Sequence, residues 1–196
     1  MILERWNQFI HKGKALKFGA MQVRNNPSSW IAFLDSVNSP YSKAAVNLLA
    51  RVTEPKVAAN GLKIVAFDDE TLVAQATSSF FNRNHSGHVS TATAVELVEF
   101  CLQRFWQRHL VAGVGQFQLS SITLDWESTE RGDLRAKFAL GNEERGEIMR
   151  RLPRDLETIV EFDIPLFNRS EKIVAHARGS CKLTTSPLLP SSTSMT

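Results

Sequence analysis

The stretch NHSGHVSTATAVELVEF, residues 84–100, brings together side chains that can move or orient a proton. Asn84, His85, Gly87 and His88 fall within five residues, and the apolar run that follows still carries Glu96, Glu99 and Gln103. On an α-helix Ala92, Glu96, Glu99, Gln103 and Trp106 share one stripe. Such a stripe is ordinarily the wet face of an amphipathic helix. This one is narrow and flanked by Val95, Phe100 and Leu102. A carboxylate on it is expected to be partly desolvated, with a raised pKa that suits a general acid or base. His85 in a loop suits either proton transfer or turn formation, and His88 either a ligand contact or a helix-capping role. His11, His109 and His176 have no partner visible in the sequence and read as structural.

These residues need elements to hold them. A helix of about 20 residues is predicted over 89–109, with Ala94, Leu97, Val98, Cys101, Leu102 and Phe105 forming a wide apolar arc. Before it, residues 1–56 read as helical. One helix follows Pro27, and another starts at Ser39-Pro40 with Ala44, Ala45, Leu48, Leu49 and Val52 as its apolar set. Asn60-Gly61 marks a turn, after which the period becomes two. Strands are predicted over 62–67 and 71–81, then after the long helix over 116–126, 133–140, 158–167 and 171–183. The alternation slips phase between Leu119 and Ile122, which predicts a bulge at Ser120-Ser121. Pro165 places its strand at an edge or beside a bulge. Residues 141–153 read as a loop with one short helix at most, and the Ser/Thr/Pro-rich tail reads as frayed. Strands joined by hairpin turns and modest loops imply an antiparallel sheet with the long helix laid against it. The organisation expected is an N-terminal helical extension (1–56), an α+β domain (57–186) and a flexible tail (187–196).

Bulk properties exclude several classes. The chain has 196 residues, 43% hydrophobic and 22% charged, with a formal net charge of +3. That composition is ordinary for a soluble globular protein of one domain. The basic residues are scattered or in small groups (Lys12, Lys14, Lys17; Arg150, Arg151, Arg154), so nucleic acid is not the expected partner. Solvated surface accounts for most of them; attraction to an anionic cofactor or an acidic carrier protein is the functional reading. Arg131, Arg135 and Lys137 are candidates for phosphate contacts of that kind, against the plainer reading of solvent-facing strand positions. Cys101 and Cys181 form no metal-ligand set and read as reduced core thiols; no metal site is expected. No stretch reaches the length of a membrane span and no signal peptide is visible, so a cytoplasmic protein is expected.

Two strands, a long helix and four antiparallel strands resemble the hotdog fold. The segment 84–99 is similar to the part of hotdog acyl-CoA thioesterases of the PaaI type that carries Asn-x-x-Gly, a His-Gly-Gly turn and a helical Asp or Glu. Asn84 and Gly87 match the opening and Glu99 falls on the carboxylate; Ser90-Thr91-Ala92 stands where the family has His-Gly-Gly. The stretch also resembles hotdog 3-hydroxyacyl-carrier-protein dehydratases, whose His precedes a helical Glu by fourteen residues, with a Gln four further on. His85, Glu99 and Gln103 fit that spacing. LLARVTEP (48–55), AVEL (94–97) and QLSS (118–121) resemble pieces of bacterial long-chain fatty-acyl-CoA thioesterases, although Lys56, His85 and Leu102 stand near the places of that family's Tyr and Asn residues.

The resemblance implies an acyl thioester substrate, with CoA or phosphopantetheine arriving as part of it and no other cofactor. It also implies a homodimer or dimer of dimers. For hydrolysis it assigns Glu99 as base or nucleophile, Asn84 or His85 as the residue that positions water, and the backbone amides from His88 through Val89 to Ser90 as donors to the carbonyl. Gly87 and Gln103 complete the expected substrate contacts. For dehydration, His85 takes the α-proton and Glu99 protonates the departing hydroxyl. A non-catalytic acyl-ligand binder is the third reading.

Overall fold

The computed structural model describes residues 40–110, 115–128 and 131–185. The helix expected after Pro27 and the tail lie outside the described residues. Helix α1 (Pro40–Thr53) and the five-residue helix α2 (Pro55–Ala59) precede strands β1 (Leu62–Phe67) and β2 (Thr71–Ala76). A 3-10 turn (Phe80–Asn82) leads to the long helix α3 (Thr91–His109). Strands β3 (Gly115–Trp126) and β4 (Leu134–Ala139), helix α4 (Asn142–Asp155), β5 (Glu157–Phe167) and β6 (Ile173–Thr185) complete the order.

The six strands form one sheet in the order β1-β2-β4-β5-β6-β3, with every neighbouring pair antiparallel. Helix α3 packs against β2, β3 and β4. Its predicted arc, Ala94, Leu97, Val98, Cys101, Leu102 and Phe105, is fully buried. Opposite it lie the alternate residues of the strands, among them Leu72 and Ala74, Leu134, Ala136 and Phe138, Val160 and Ile164, and Cys181 and Leu183. Each large side chain removed from water here contributes roughly 1.5–3 kcal/mol, which is what fixes the helix on the sheet. The two cysteines are free and buried, and burial raises the Cys101 thiol to about 12 and the Cys181 thiol to about 11. This is the hotdog arrangement: an antiparallel sheet around one long central helix.

Local expectations held or failed for physical reasons. The register of β3 with β6 shifts between Leu119 and Ser121, where the phase slip predicts a bulge. A Cβ on Gly179 of β6 would lie 2.0 Å from the Ser121 carbonyl oxygen, so glycine is required opposite that bulge. Pro165 sits beside a register shift at Leu166/Phe167, and β5 pairs with β4 only through Leu166 and Phe167. Strand β2 ends at Ala76 rather than at residue 81, because the chain breaks away into the 3-10 turn. Residues 142–155 form a complete helix rather than a loop. Gly146, Pro153 and a nearly all-polar sequence hide it, but Glu143 and Glu144 in the first turn and Arg154 in the last suit the helix dipole. On α1 the inward residues are Val46 and Ala50, while Leu48 and Val52 of the predicted apolar set point outward. Asn47 holds this helix to β1: its side chain accepts from Ile64 N at 2.7 Å and donates to Ile64 O at 3.0 Å, beside a register shift between Ile64 and Ala66.

Candidate active site

The loop that enters α3 is built around Asn82, only 2% exposed. Its Oδ1 accepts from Ser79 N at 2.7 Å, and its Nδ2 donates to Thr77 O at 2.8 Å and Asn60 O at 3.0 Å. Thr93 Oγ1 donates to Asn60 Oδ1 at 3.1 Å, so the Asn60-Gly61 turn, the 3-10 turn and the helix start form one connected unit. Ser90 is the N-cap, its hydroxyl accepting from Thr93 N at 3.1 Å.

Asn84 is a loop organiser. Its Oδ1 accepts from Ser86 N at 3.0 Å and His88 N at 3.1 Å, and its own N–H donates to His88 O at 2.8 Å. Gly87 closes this turn with φ +80, a conformation that costs glycine nothing. The open cleft over the loop, about 510 Å³, is lined by Ser79, Phe80, Arg83, Asn84, His85 and Gly87. His85 is exposed there; His88 is half-buried, with Nδ1 out of solvent and without a hydrogen bond; Val89 is buried. Phe80 and Phe81, stacked edge to face with centroids 5.8 Å apart, stand 89% and 86% exposed beside it.

Two of the three amides assigned to the carbonyl are already engaged. His88 N is held by Asn84 Oδ1, and Ser90 N donates to Asn82 O at 2.9 Å. Further along, Thr93 N is capped by Ser90 Oγ and Ala94 N donates to Ser90 O. The amides of Thr91 and Ala92, both exposed residues, are without an acceptor among the described residues, as is that of buried Val89. Sequence reasoning missed the first two; the Ser90-x-x-Thr93 capping pattern is the signal that displaces the free donors to positions 91 and 92.

Glu99 lies elsewhere on the helix. From Thr91 to Glu99 the axis rises about 12 Å, so within one chain Glu99 does not line the Asn84–Gly87 cleft. It is not in an enclosed channel either: its side chain is 32% exposed. Its Oε2 accepts from Lys56 Nζ at 3.3 Å, and the same ammonium stands 3.2 Å from Glu96 Oε2, at an angle that leaves that oxygen without an aligned hydrogen bond. Gln103 is half-buried one turn further on, and Trp106, expected on the same stripe, is fully buried. Arg135, a candidate phosphate contact, is instead engaged by Glu171 and by Gln75 Oε1 at 3.1 Å.

No protein-family model matches the chain, and no curated protein matches it in sequence. Solved structures do. A Pseudomonas aeruginosa protein of unknown function described as a "Probable Thioesterase" superposes with a TM-score of 0.66 at 15% identity, covering 73% of this chain and 95% of its own. A thioesterase from Haemophilus influenzae gives 0.57 at 16% identity, covering 76% and 94%. A mutant thioesterase from Pseudomonas aeruginosa gives 0.57 at 17%, covering 71% and 92%. At such low identity the likeness fixes the architecture: the chain has the hotdog fold shared by structures named as thioesterases.

Proposed function

We propose that this protein hydrolyses an acyl thioester carried on CoA or on an acyl carrier protein. The observation that carries the reading is the pairing, on one central helix, of a solvent-reachable carboxylate at Glu99 with two unsatisfied amides at Thr91 and Ala92. The fold shared with structures named as thioesterases supports it.

In this reading the thioester carbonyl rests at the start of α3. As the tetrahedral intermediate forms, its oxygen takes negative charge, and the Thr91 and Ala92 amides together with the positive end of the helix dipole stabilise it. Glu99 acts as base toward water, or attacks directly to give an anhydride that water then opens. The carbon–sulfur bond breaks and the thiol leaves. Asn84 contributes its Nδ2 rather than its committed Oδ1, and exposed His85 orients water or the substrate.

Because loop and carboxylate are about 12 Å apart along one helix, a second copy completes the site by bringing its loop to Glu99. Strand β3 offers the means. Among the described residues it is the end strand of the sheet, 12 residues long, and since its half-buried Phe117, Leu119, Ile122, Leu124 and Trp126 pack toward the core, a partner would meet its backbone edge. Release of free thiol from a panel of acyl-CoAs tests the reading. Glu99→Gln is expected to lower kcat/KM at least about 100-fold, the usual scale of a lost general base. Full activity in that variant would overturn the assignment.

A further inference from the structure

The Glu99 carboxylate is not alone, and its companion comes from a separate element. Helix α2 is short, begins with Pro55 and is anchored by Val57, which is 1% exposed. Anchoring Val57 holds its neighbour Lys56 over the outer flank of α3. There the ammonium sits between two carboxylates three residues apart, at 3.2 Å from Glu96 and 3.3 Å from Glu99. Two glutamates at that spacing repel each other without a cation. The contact is uneven: Lys56 makes its aligned hydrogen bond to Glu99, whereas Glu96 supplies charge from the far side. Burial works against the ammonium, but the charges of Glu96 and Glu99 and the hydrogen bond to Glu99 outweigh it and raise the Lys56 pKa above its ordinary value. The other charged residues nearby from these elements, Glu54 and Arg104, are spent on one another.

We propose that Lys56 is a positioning residue for thioester hydrolysis, holding the Glu99 carboxylate aimed by charge and a hydrogen bond while Glu96 anchors the ammonium from the other side. This rests on Glu99 being the reacting carboxylate. Because a surface ion pair contributes little to stability, the test reads the state of Glu99 itself.

Two measurements do so. The first needs no substrate: a pH titration of the carboxyl carbons of 13C-labelled glutamate, with the Glu99 signal identified by its loss in Glu99→Gln. Replacing Lys56 by Met leaves Glu99 facing the like charge of Glu96, so its midpoint is expected to rise; Lys56→Arg is expected to restore it. The second is the pH profile of kcat/KM, whose acid limb should move upward with the midpoint in Lys56→Met and return in Lys56→Arg. An unmoved Glu99 midpoint in Lys56→Met overturns the proposal even if Glu99→Gln is inactive. A midpoint that moves while Glu99→Gln remains fully active overturns the catalytic reading instead, and with it any role for Lys56 in the reaction. A thermal melt of Lys56→Met close to that of the parent separates these effects from unfolding.

Discussion

Two ion pairs reach helix α3 from residues only two apart, and they differ in almost everything else. Glu54 meets Arg104, whose side chain is 0% exposed and also lies 5.1 Å from the Phe100 ring and donates to Gln107 Oε1 at 2.7 Å. Lys56 meets Glu96 and Glu99 with 49% of its side chain in solvent. In the first pair the guanidinium is sealed into the joint between the N-terminal helices and the central helix; the second pair stands where water can arrive. One short segment thus docks an element with one charge and tunes the outer flank of the helix with another.

The contrast can be broken most severely at the dry pair. Glu54→Ala leaves a guanidinium out of water with no carboxylate, and is expected to lower unfolding free energy by about 3–5 kcal/mol in urea denaturation. Adding Arg104→Met should recover most of that loss, since the isolated charge is then gone. Acid provides the next test, and it sharpens the comparison by adding a third charged locality at the far end of α3. His109, packed 4.7 Å from the Phe105 ring, has its pKa lowered to about 4 by burial and by Arg145 and Arg108. Its folded value lies below the unfolded one, so its stabilising effect is complete above about 6.5 and is lost as pH falls toward 4. Melting temperature should decline across that window, and less steeply in His109→Phe. The wet pair is expected to show least in stability. Lys56→Met should change it by no more than about 1 kcal/mol, diminishing further in high salt. A large loss there would erase the distinction between docking and tuning.

Much of this fold was legible because it obeys simple periods. The alternation in β4 and β5 named their buried faces, and the apolar arc of α3 named the helix side that meets the sheet. The bulge near Ser121 showed as a phase slip. Helix α4 was hidden because its apolar stripe is only Ile148, Met149 and Leu152, set among charged residues and interrupted by Gly146 and Pro153. Strand β2 was drawn too long because SSFF has strand-like composition, while its fate is set by Asn82, a residue whose partners lie up to 22 positions away. At the candidate site, the loop and the stripe were visible but their relations were not. Trp106 fell on the polar stripe by angle yet is buried, and the tie from Lys56 to Glu99 spans 43 positions, beyond any local pattern. The free amides of Thr91 and Ala92 escaped notice because capping arithmetic, not residue type, decides which donors remain.

The kink in β3 carries a consequence for assembly. A long, straight, open margin of a sheet is a template onto which almost any extended chain can be added, layer after layer. Interrupted at Leu119–Ser121, this one admits in full only a strand whose own irregularity falls in matching register. A stray unfolded segment does not meet that demand, so the same defect that bends the strand also guards it against runaway polymerisation.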